Sequence, residues 1–370
     1  MTPKFHPLKI HRSTAENGDS VRIAFVVPPE LKADYQFKAG QYLTLRAVIQ
    51  GQSLRRSYSI CSAEQVFEQT GLLEVGVKRV HGGVFSNWAM GLKKGDAIDV
   101  KTPEGKFGEQ PGGTLTEPGE SPGPEQAPHM AAYVAGSGIT PVLAMMSTWL
   151  ARSPSLVFSL VYGNRRSESV MFLEDIAALK NQYMERVRLH HVLSRQPQES
   201  ELFNGRLDHE KISAMNEELL PVATIDHAFI CGPNSMIDEV ESALLTAGMA
   251  KDRVHTERFG VPGPARVEPP KFDASAPTAQ LFVLLDGKQS EMRLPYGGAK
   301  VLDVALDYGL DLPFACKGGV CCTCRAKVLE GEVVMEKNYS LEDHEIAKGF
   351  VLTCQAVAKS PKIVISYDDR

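Results

Sequence analysis

No uninterrupted run of 18 apolar residues occurs in this 370-residue chain, so no segment reads as a membrane-spanning helix. The nearest approach, residues 131–150, is broken by Gly136, Gly138 and Pro141. A basic excess is missing as well. The formal net charge is −5, which argues against nucleic acid as a partner. Residues 1–20 have no apolar h-region, so a cytoplasmic chain without a secretory leader is expected. Cysteine is scarce and odd in number, seven in all, which argues against a disulfide framework. What remains is 43% hydrophobic and 23% charged, the composition of globular domains with real cores. At this length two or three such domains are expected.

Four of the seven cysteines form a pattern. Cys316, Cys321 and Cys324 make a C-x4-C-x2-C run, and Cys354 follows at a distance. That is the ligand spacing of a plant-type [2Fe–2S] cluster. Two bridged irons need four thiolates, here three from one loop and an anchor outside it. Gly318 and Gly319 let the loop curl tightly and turn N–H groups toward sulfur. A structural zinc site would pair its ligands in two short knuckles instead. Cys322 and Cys61 lie off the spacing and read as packed residues. A cluster of this kind moves electrons singly, so the rest of the chain is expected to supply them.

The organisation along the chain fits three units. Residues 21–27, 42–45 and 72–77 are short β-rich runs bounded by turn residues, which predicts a small antiparallel β-barrel over 1–110. A Pro/Gly/Glu-rich stretch, 109–128, reads as a surface loop or linker. Strands at 131–135, 156–162, 187–193 and 228–231 then alternate with helical runs at 170–179 and 235–247. This predicts an α/β domain over 129–260 with a parallel sheet and a nucleotide crevice at its carboxyl edge. A proline-rich linker, 261–279, leads to an α+β cluster domain over 280–370.

Two segments of the barrel suit a flavin. Arg56, Tyr58 and Ser59 offer a cation for phosphate, an aromatic face and a hydroxyl along one strand, with Arg56 and Tyr58 sharing a face. His81-Gly82-Gly83-Val84-Phe85-Ser86 reads as a glycine-rich helix entry with N–H groups ready for a pyrophosphate. A plain turn with Ser86 as N-cap is the alternative. In the α/β domain, Gly136-Ser137-Gly138-Ile139-Thr140-Pro141 lies between a strand and a helix, the context of a dinucleotide turn. Cys231-Gly232-Pro233 ends another strand at the same edge. No acid follows the second strand until Glu168, whereas Arg165, Arg166 and Arg195 are present. Cations suit a 2′-phosphate, so NADPH is favoured and NADH stays open.

Taken in order, Arg56-x-Tyr58-Ser59, Gly82-Gly83-Val84-Phe85-Ser86, Gly136-Ser137-Gly138-Ile139-Thr140-Pro141, Tyr162-Gly163-Asn164-Arg165 and Cys231-Gly232-Pro233 resemble the ferredoxin–NADP reductase superfamily. The cysteine-bearing segment narrows the resemblance to reductases with a C-terminal plant-type ferredoxin domain. It is most similar to the reductase subunits of the phenylacetyl-CoA epoxidases of phenylacetate catabolism, and the 3-ketosteroid hydroxylase reductases share the layout. The resemblance spans nearly the whole chain. It implies a multidomain fold: an antiparallel β-barrel flavin domain, an α/β nucleotide domain and a β-grasp ferredoxin domain.

The resemblance also implies residue roles. Arg56 would bind the FAD pyrophosphate, Tyr58 would stack on the isoalloxazine and Ser59 would bond near N5, with Ser57, Val77 and Phe85 in the same site. Gly83, Val84 and Ser86 would hold the pyrophosphate. Gly138, Thr140 and Pro141 would line the NAD(P) site, with Arg165 and Arg195 beside it. Ser59, Cys231 and Glu257 would form the catalytic set along the hydride path, with Phe259 close to the flavin. Cys316, Cys321, Cys324 and Cys354 would bind the irons. The stretch 109–128 is longer than the family usually carries there, which leaves FMN open beside FAD.

The expected reaction is a wire: NADPH to FAD to [2Fe–2S] to the oxygenase component of a multicomponent monooxygenase. Neither nucleic acid nor a membrane has a part in it. Glu330, Glu332, Glu336, Glu342, Asp343 and Glu345 could form an acidic docking face or an ordinary solvated surface. Two other readings stay open: a stand-alone NAD(P)H diaphorase or oxidase, and a redox sensor.

Overall fold

The structure is a computed structural model that describes residues 5–109, 127–259 and 277–369. The first six strands are β1 (Phe5–Asn17), β2 (Ser20–Val26), β3 (Tyr42–Ile49), β4 (Gln52–Ser59), β5 (Leu72–Lys78) and β6 (Ala97–Lys101). They form one sheet in the order β4-β3-β6-β1-β2-β5. Its two edges meet where Ile60 bridges Val75 and the Cys61 N–H donates to the Glu74 carbonyl at 2.8 Å. Closure of this kind removes exposed strand edges. In β1, Leu8 and Ile10 are buried while Lys9 and His11 face outward, the period-two pattern of a half-buried strand. β1 and β6 go beyond the runs the sequence pattern singles out, because polar residues interleave their few apolar ones. Two short helices, α1 (Glu64–Thr70) and α2 (Val84–Ala89), fill connections.

The next domain alternates β7 (His129–Ala135), α3 (Ile139–Arg152), β8 (Val157–Asn164), α4 (Leu173–Tyr183), β9 (Val187–Leu193), α5 (His209–Glu218), β10 (His227–Gly232), α6 (Asn234–Thr246) and β11 (Val254–Arg258). All strands run parallel, in the order β11-β10-β7-β8-β9. The chain leaves β7 toward β8 and later returns on its other side with β10. That reversal opens a crevice at the carboxyl ends of β7 and β10. Helix α4 starts at Leu173, three residues later than the apolar pattern predicts. Phe172 takes a left-handed φ of 57° and buries its ring, which ends the extended segment before the helix can begin.

Barrel and parallel sheet belong to one compact unit. Ala39, Cys61 and Phe107 share a core with Val142, Trp149 and Phe229, and the Phe107 and Phe229 rings meet edge to face at 5.7 Å. Buried Glu64 accepts from the Ala39 N–H at 2.7 Å and pairs with Arg152 at 2.7 Å. Arg22 of β2 bonds both oxygens of Asp175 in α4 and lies over the Phe172 ring. Charged pairs this well bonded fix orientation more than they add stability.

Residues 277–369 belong to the second unit. Its sheet runs β13 (Lys288–Pro295), β12 (Thr278–Leu285), β18 (Lys362–Ser366), β14 (Arg325–Glu330) and β16 (Phe350–Leu352), with β12 and β18 parallel. Helix α7 (Val301–Asp307) buries Val301, Leu302, Val304 and Ala305 in the same core as the sheet, the arrangement of a β-grasp domain. A ribbon of β15 (Val333–Met335) with β17 (Ala356–Ala358) and a short helix α8 (Asp343–Ala347) complete it. No helix among the described residues is long and apolar enough to cross a membrane. Most of the stretch 109–128 and of the linker 261–279 lies outside the described residues.

Candidate functional site

At the switch crevice, β7 ends in a tight turn, Gly136–Gly138, and α3 begins at once. Gly136 has φ +56°, which favours glycine. A Cβ on Gly138 would stand 2.0 Å from the Cys231 carbonyl oxygen, so only a hydrogen lets the turn reach β10. Thr140 Oγ1 donates to the Ser137 carbonyl at 2.9 Å, and Thr140 and Pro141 are buried in the first turn of α3. From below, the Tyr162 hydroxyl donates to the Gly136 carbonyl at 2.9 Å.

Beside this turn the three residues of the expected catalytic set come together. Cys231 of β10 and Glu257 of β11 are register partners, and the Ser59 hydroxyl at the end of β4 donates to Glu257 Oε2 at 3.3 Å. Burial pushes the Glu257 carboxyl up to about 8, with the Ser59 bond opposing. Burial raises the Cys231 thiol too, with the Glu257 charge adding to it. Phe259 follows β11 and is 45% exposed.

The raised Glu257 carboxyl has a consequence for pH. Its ordinary value is 4.5 and its folded value about 8, so the folded chain binds the extra proton between them. This contribution to stability is full below about 4.5 and falls as pH rises to about 8, by about 1.4 kcal/mol per pH unit. Glu257→Gln is expected to flatten that slope in urea unfolding measured from pH 5 to 9. An unchanged slope would mean that Glu257 is ionised in the fold.

On the barrel, β4 carries Arg56 exposed, Ser57 and Tyr58 half-buried and Ser59 buried. The Tyr58 ring lies 5.9 Å from Phe85, and Phe85 meets Trp88 at 5.4 Å. Val77 and Phe85 are buried in the barrel core, so they support the site from beneath. Gly83 is the N-cap of α2, and Ser86 lies inside the helix. Ser86 Oγ accepts from the Val80 N–H at 3.0 Å and thus ties the glycine loop to the helix; the alternative of Ser86 as N-cap fails. Val84 is exposed at the helix start. A cleft of about 640 Å³ opens here, lined by Val48, Gln50, Gly82, Gly83, Val84 and Trp88 among others. Its volume and apolar walls fit part of a dinucleotide-sized cofactor.

One residue escapes the sequence reading. Lys78 ends β5, and its Nζ stands 3.5 Å from where a Cβ on Gly136 would be. Burial lowers its pKa. The signal was a lysine closing an apolar strand just before the glycine loop. Arg165 and Arg195, by contrast, are exposed at the ends of β8 and β9, where the Arg195 N–H donates to the Arg165 carbonyl at 2.8 Å.

In the second unit the four spaced cysteines converge as two pairs. The Cys316 N–H donates to Cys321 Sγ at 3.5 Å, and Cys324 and Cys354 are electrostatic neighbours. Among the described residues no three His, Cys, Asp or Glu groups converge on a single metal ion. Two pairs of thiols fit two bridged irons, two thiolates to each. Cys316 is pushed down to about 5 by the Cys321 thiol and by backbone N–H groups of Gly318, Val320 and Cys321. The Gly318 N–H lies 3.3 Å from its sulfur. Cys322 points elsewhere, donating to Ser340 Oγ at 3.0 Å, and Cys61 is buried in the core shared by barrel and sheet.

The acidic residues of this unit are largely engaged within it. Glu330 pairs with Lys362 at 2.8 Å, Glu336 pairs with Lys300, and Glu345 is buried against Arg325 at 3.1 Å. Glu342 caps α8. Glu330, Glu336 and Glu342 nonetheless stay more than half exposed, at 55%, 52% and 69%.

Family models match all three domains. Residues 7–108 match an oxidoreductase FAD-binding domain, 134–242 an oxidoreductase NAD-binding domain and 283–359 a 2Fe-2S iron-sulfur cluster binding domain. The chain is 41% identical to one subunit of the 1,2-phenylacetyl-CoA epoxidase of Escherichia coli (strain K12), over 98% of each chain. It is 33% identical to the ferredoxin reductase component of the 3-ketosteroid-9-alpha-monooxygenase of Rhodococcus rhodochrous, over 94% of this chain and 93% of that one. Among solved structures, phthalate dioxygenase reductase has the same fold, with a TM-score of 0.55 over 98% of both chains at 24% identity. The three domains in this order define a pyridine-nucleotide-dependent reductase that passes electrons through FAD to a [2Fe–2S] cluster. The chain belongs to the family of oxygenase reductase components that includes the phenylacetyl-CoA epoxidase and 3-ketosteroid monooxygenase reductases.

Proposed function

We propose that this reductase draws electrons from NADPH and delivers them to the oxygenase component of a phenylacetyl-CoA epoxidase. The partner rests on the 41% identity to the epoxidase protein, which runs nearly the full length of both chains. The observation that carries the redox reading is the bond from Ser59 to Glu257 beside the contact of Gly138 with Cys231. It brings the barrel strand and the nucleotide crevice to one point. A bound flavin supplies the chemistry the side chains lack, taking two electrons as a hydride and releasing them one at a time.

The chain's own residues then position and shield. In this reading Arg56 neutralises the cofactor phosphates, and Tyr58 provides a ring face beside Ser57. Gly83, Val84 and Ser86 hold the pyrophosphate with backbone and hydroxyl. Gly138, Thr140 and Pro141 shape the nicotinamide site, and Lys78 places a cation at its mouth. Neutral Glu257 holds a proton next to the Ser59 hydroxyl without adding charge where a hydride must pass. The buried Cys231 excludes water there, and Phe259 covers the ring. Cys316, Cys321, Cys324 and Cys354 hold the two irons. The domains are taken as 1–110, 129–260 and 280–370, joined through 261–279. A cytoplasmic setting suits seven cysteines that are all free of disulfides.

The preference for NADPH is supported by Arg165 and Arg195 at adjoining strand ends. Arg195→Ala is expected to raise KM for NADPH by about tenfold or more, the worth of about 1.4 kcal/mol, and to leave KM for NADH within about twofold. Equal losses for both nucleotides would remove the assignment. For the partner, substrate-coupled turnover with purified epoxidase oxygenase is the test. Peroxide formed as fast without the oxygenase as turnover with it would favour a stand-alone oxidase.

A further inference from the structure

Gln355 follows the anchor cysteine and is 6% exposed. Its Nε2 lies 3.1 Å from the Lys317 carbonyl, 2.9 Å from the Cys354 carbonyl and 3.7 Å from Cys354 Sγ. The Lys317 carbonyl and the Gly318 N–H are opposite ends of one planar peptide. With the carbonyl held by Gln355, the N–H points the other way, and it donates to Cys316 Sγ at 3.3 Å. Lys317 has φ +52°, a region a lysine enters at some cost, so the peptide needs a partner to stay there. One residue further on, the Gly319 carbonyl accepts from the Tyr339 N–H at 3.0 Å and from Ser340 Oγ at 3.4 Å. A Cβ on Gly319 would stand 2.8 Å from the Lys337 carbonyl oxygen and 3.1 Å from Gln355 Cγ, so backbone and the Gln355 side chain both press on this glycine.

We propose that Gln355 is a positioning residue of the iron–sulfur centre: one N–H fixes the Lys317–Gly318 peptide so that the Gly318 N–H faces Cys316, and the other reaches Cys354, shared between its carbonyl and its Sγ. One side chain thereby orients the Gly318 donor to Cys316 and sets a shared, longer N–H contact at Cys354, one thiolate of each pair. The inference rests on the reading of those four cysteines as cluster ligands. Donors to thiolate sulfur stabilise the more negative, reduced state and raise the reduction potential. Gln355 is thus assigned a share in keeping the cluster reducible by the flavin.

The test uses the full holoprotein and the variants Gln355→Met, which keeps length without a donor, and Gln355→Glu, which replaces the donor by an acceptor. Wild-type chain with about two irons establishes the ligand reading; a chain without iron overturns reading and inference together. Potentiometric titration followed by visible and paramagnetic spectra then compares the clusters, with the flavin midpoint as internal reference. Both variants are expected to shift the cluster toward the oxidised state by about tenfold, ~59 mV for one electron, with the flavin midpoint unchanged. Cluster midpoints equal to wild type in both variants overturn the inference. Iron loss to a chelator gives an independent readout. Faster loss from Gln355→Met than from Gln280→Met, at an exposed site on β12, supports the positioning role, and equal rates contradict it.

Discussion

Cys354→Ala is expected to leave the chain without its cluster and to cut electron delivery to a protein acceptor to background, while NADPH-to-ferricyanide transfer stays within about twofold. The asymmetry follows from the fold. Cys354 is buried just after β16, and the neighbouring Thr353 hydroxyl donates to the Cys324 carbonyl at 2.9 Å, which holds the anchor beside its partner thiol. Removing one thiolate leaves one iron short of a ligand. The barrel and parallel sheet form their own compact unit with their own core, so nucleotide oxidation has no need of the anchor. Iron content, the visible spectrum and the two activities measured on one preparation decide it. Full iron and full delivery in the variant would mean that Cys354 is not a ligand.

Gly138→Ala is expected to lower NADPH-driven flavin reduction by about a hundredfold while leaving dithionite reduction of flavin and cluster unchanged. The added carbon would meet backbone: the Cys231 carbonyl oxygen at 2.0 Å, its carbon at 2.5 Å and the Gly232 nitrogen at 3.1 Å. Strand ends cannot yield as side chains can, so turn and β10 must separate, at a cost of about 1–3 kcal/mol. Gly232→Ala is the informative contrast. Its nearest obstacle is the flexible end of Met236, Cε at 2.8 Å, and a smaller effect is expected. Stopped-flow mixing with NADPH measures both. Equal rates for Gly138→Ala and wild type would detach the turn from the nucleotide site.

The legible parts of this molecule are those where chemistry forces a spacing. Cys316, Cys321, Cys324 and Cys354 stand out because irons fix the distances between thiolates, and the glycines of 136–138 because a backbone must approach closely. Alternating strand and helix gave the parallel sheet, since strands buried on both faces read as apolar runs, such as β7 with all but its last residue buried. The barrel was less legible. In β1 the apolar residues are spread among lysine, histidine and arginine, and β6 has only five residues. Interactions between distant segments left almost no trace. Nothing local says that Glu64 will bond Ala39 and Arg152, that Phe172 will turn left-handed, or that Lys78 will reach Gly136. Each depends on how the barrel and sheet pack. Ion pairing across the chain was equally invisible: Lys362, Lys300 and Arg325 come from elsewhere to pair with Glu330, Glu336 and Glu345.

Electrons run from pyridine nucleotide through the flavin to the cluster of the same chain. Anaerobic titration of the purified holoprotein with NADPH, followed across the visible spectrum, tests this route most directly. Flavin and iron–sulfur bands are both expected to bleach, and a reduced-cluster paramagnetic signal to appear with no partner protein added. Full bleaching of the flavin in excess NADPH, with the cluster still oxidised, would contradict this route.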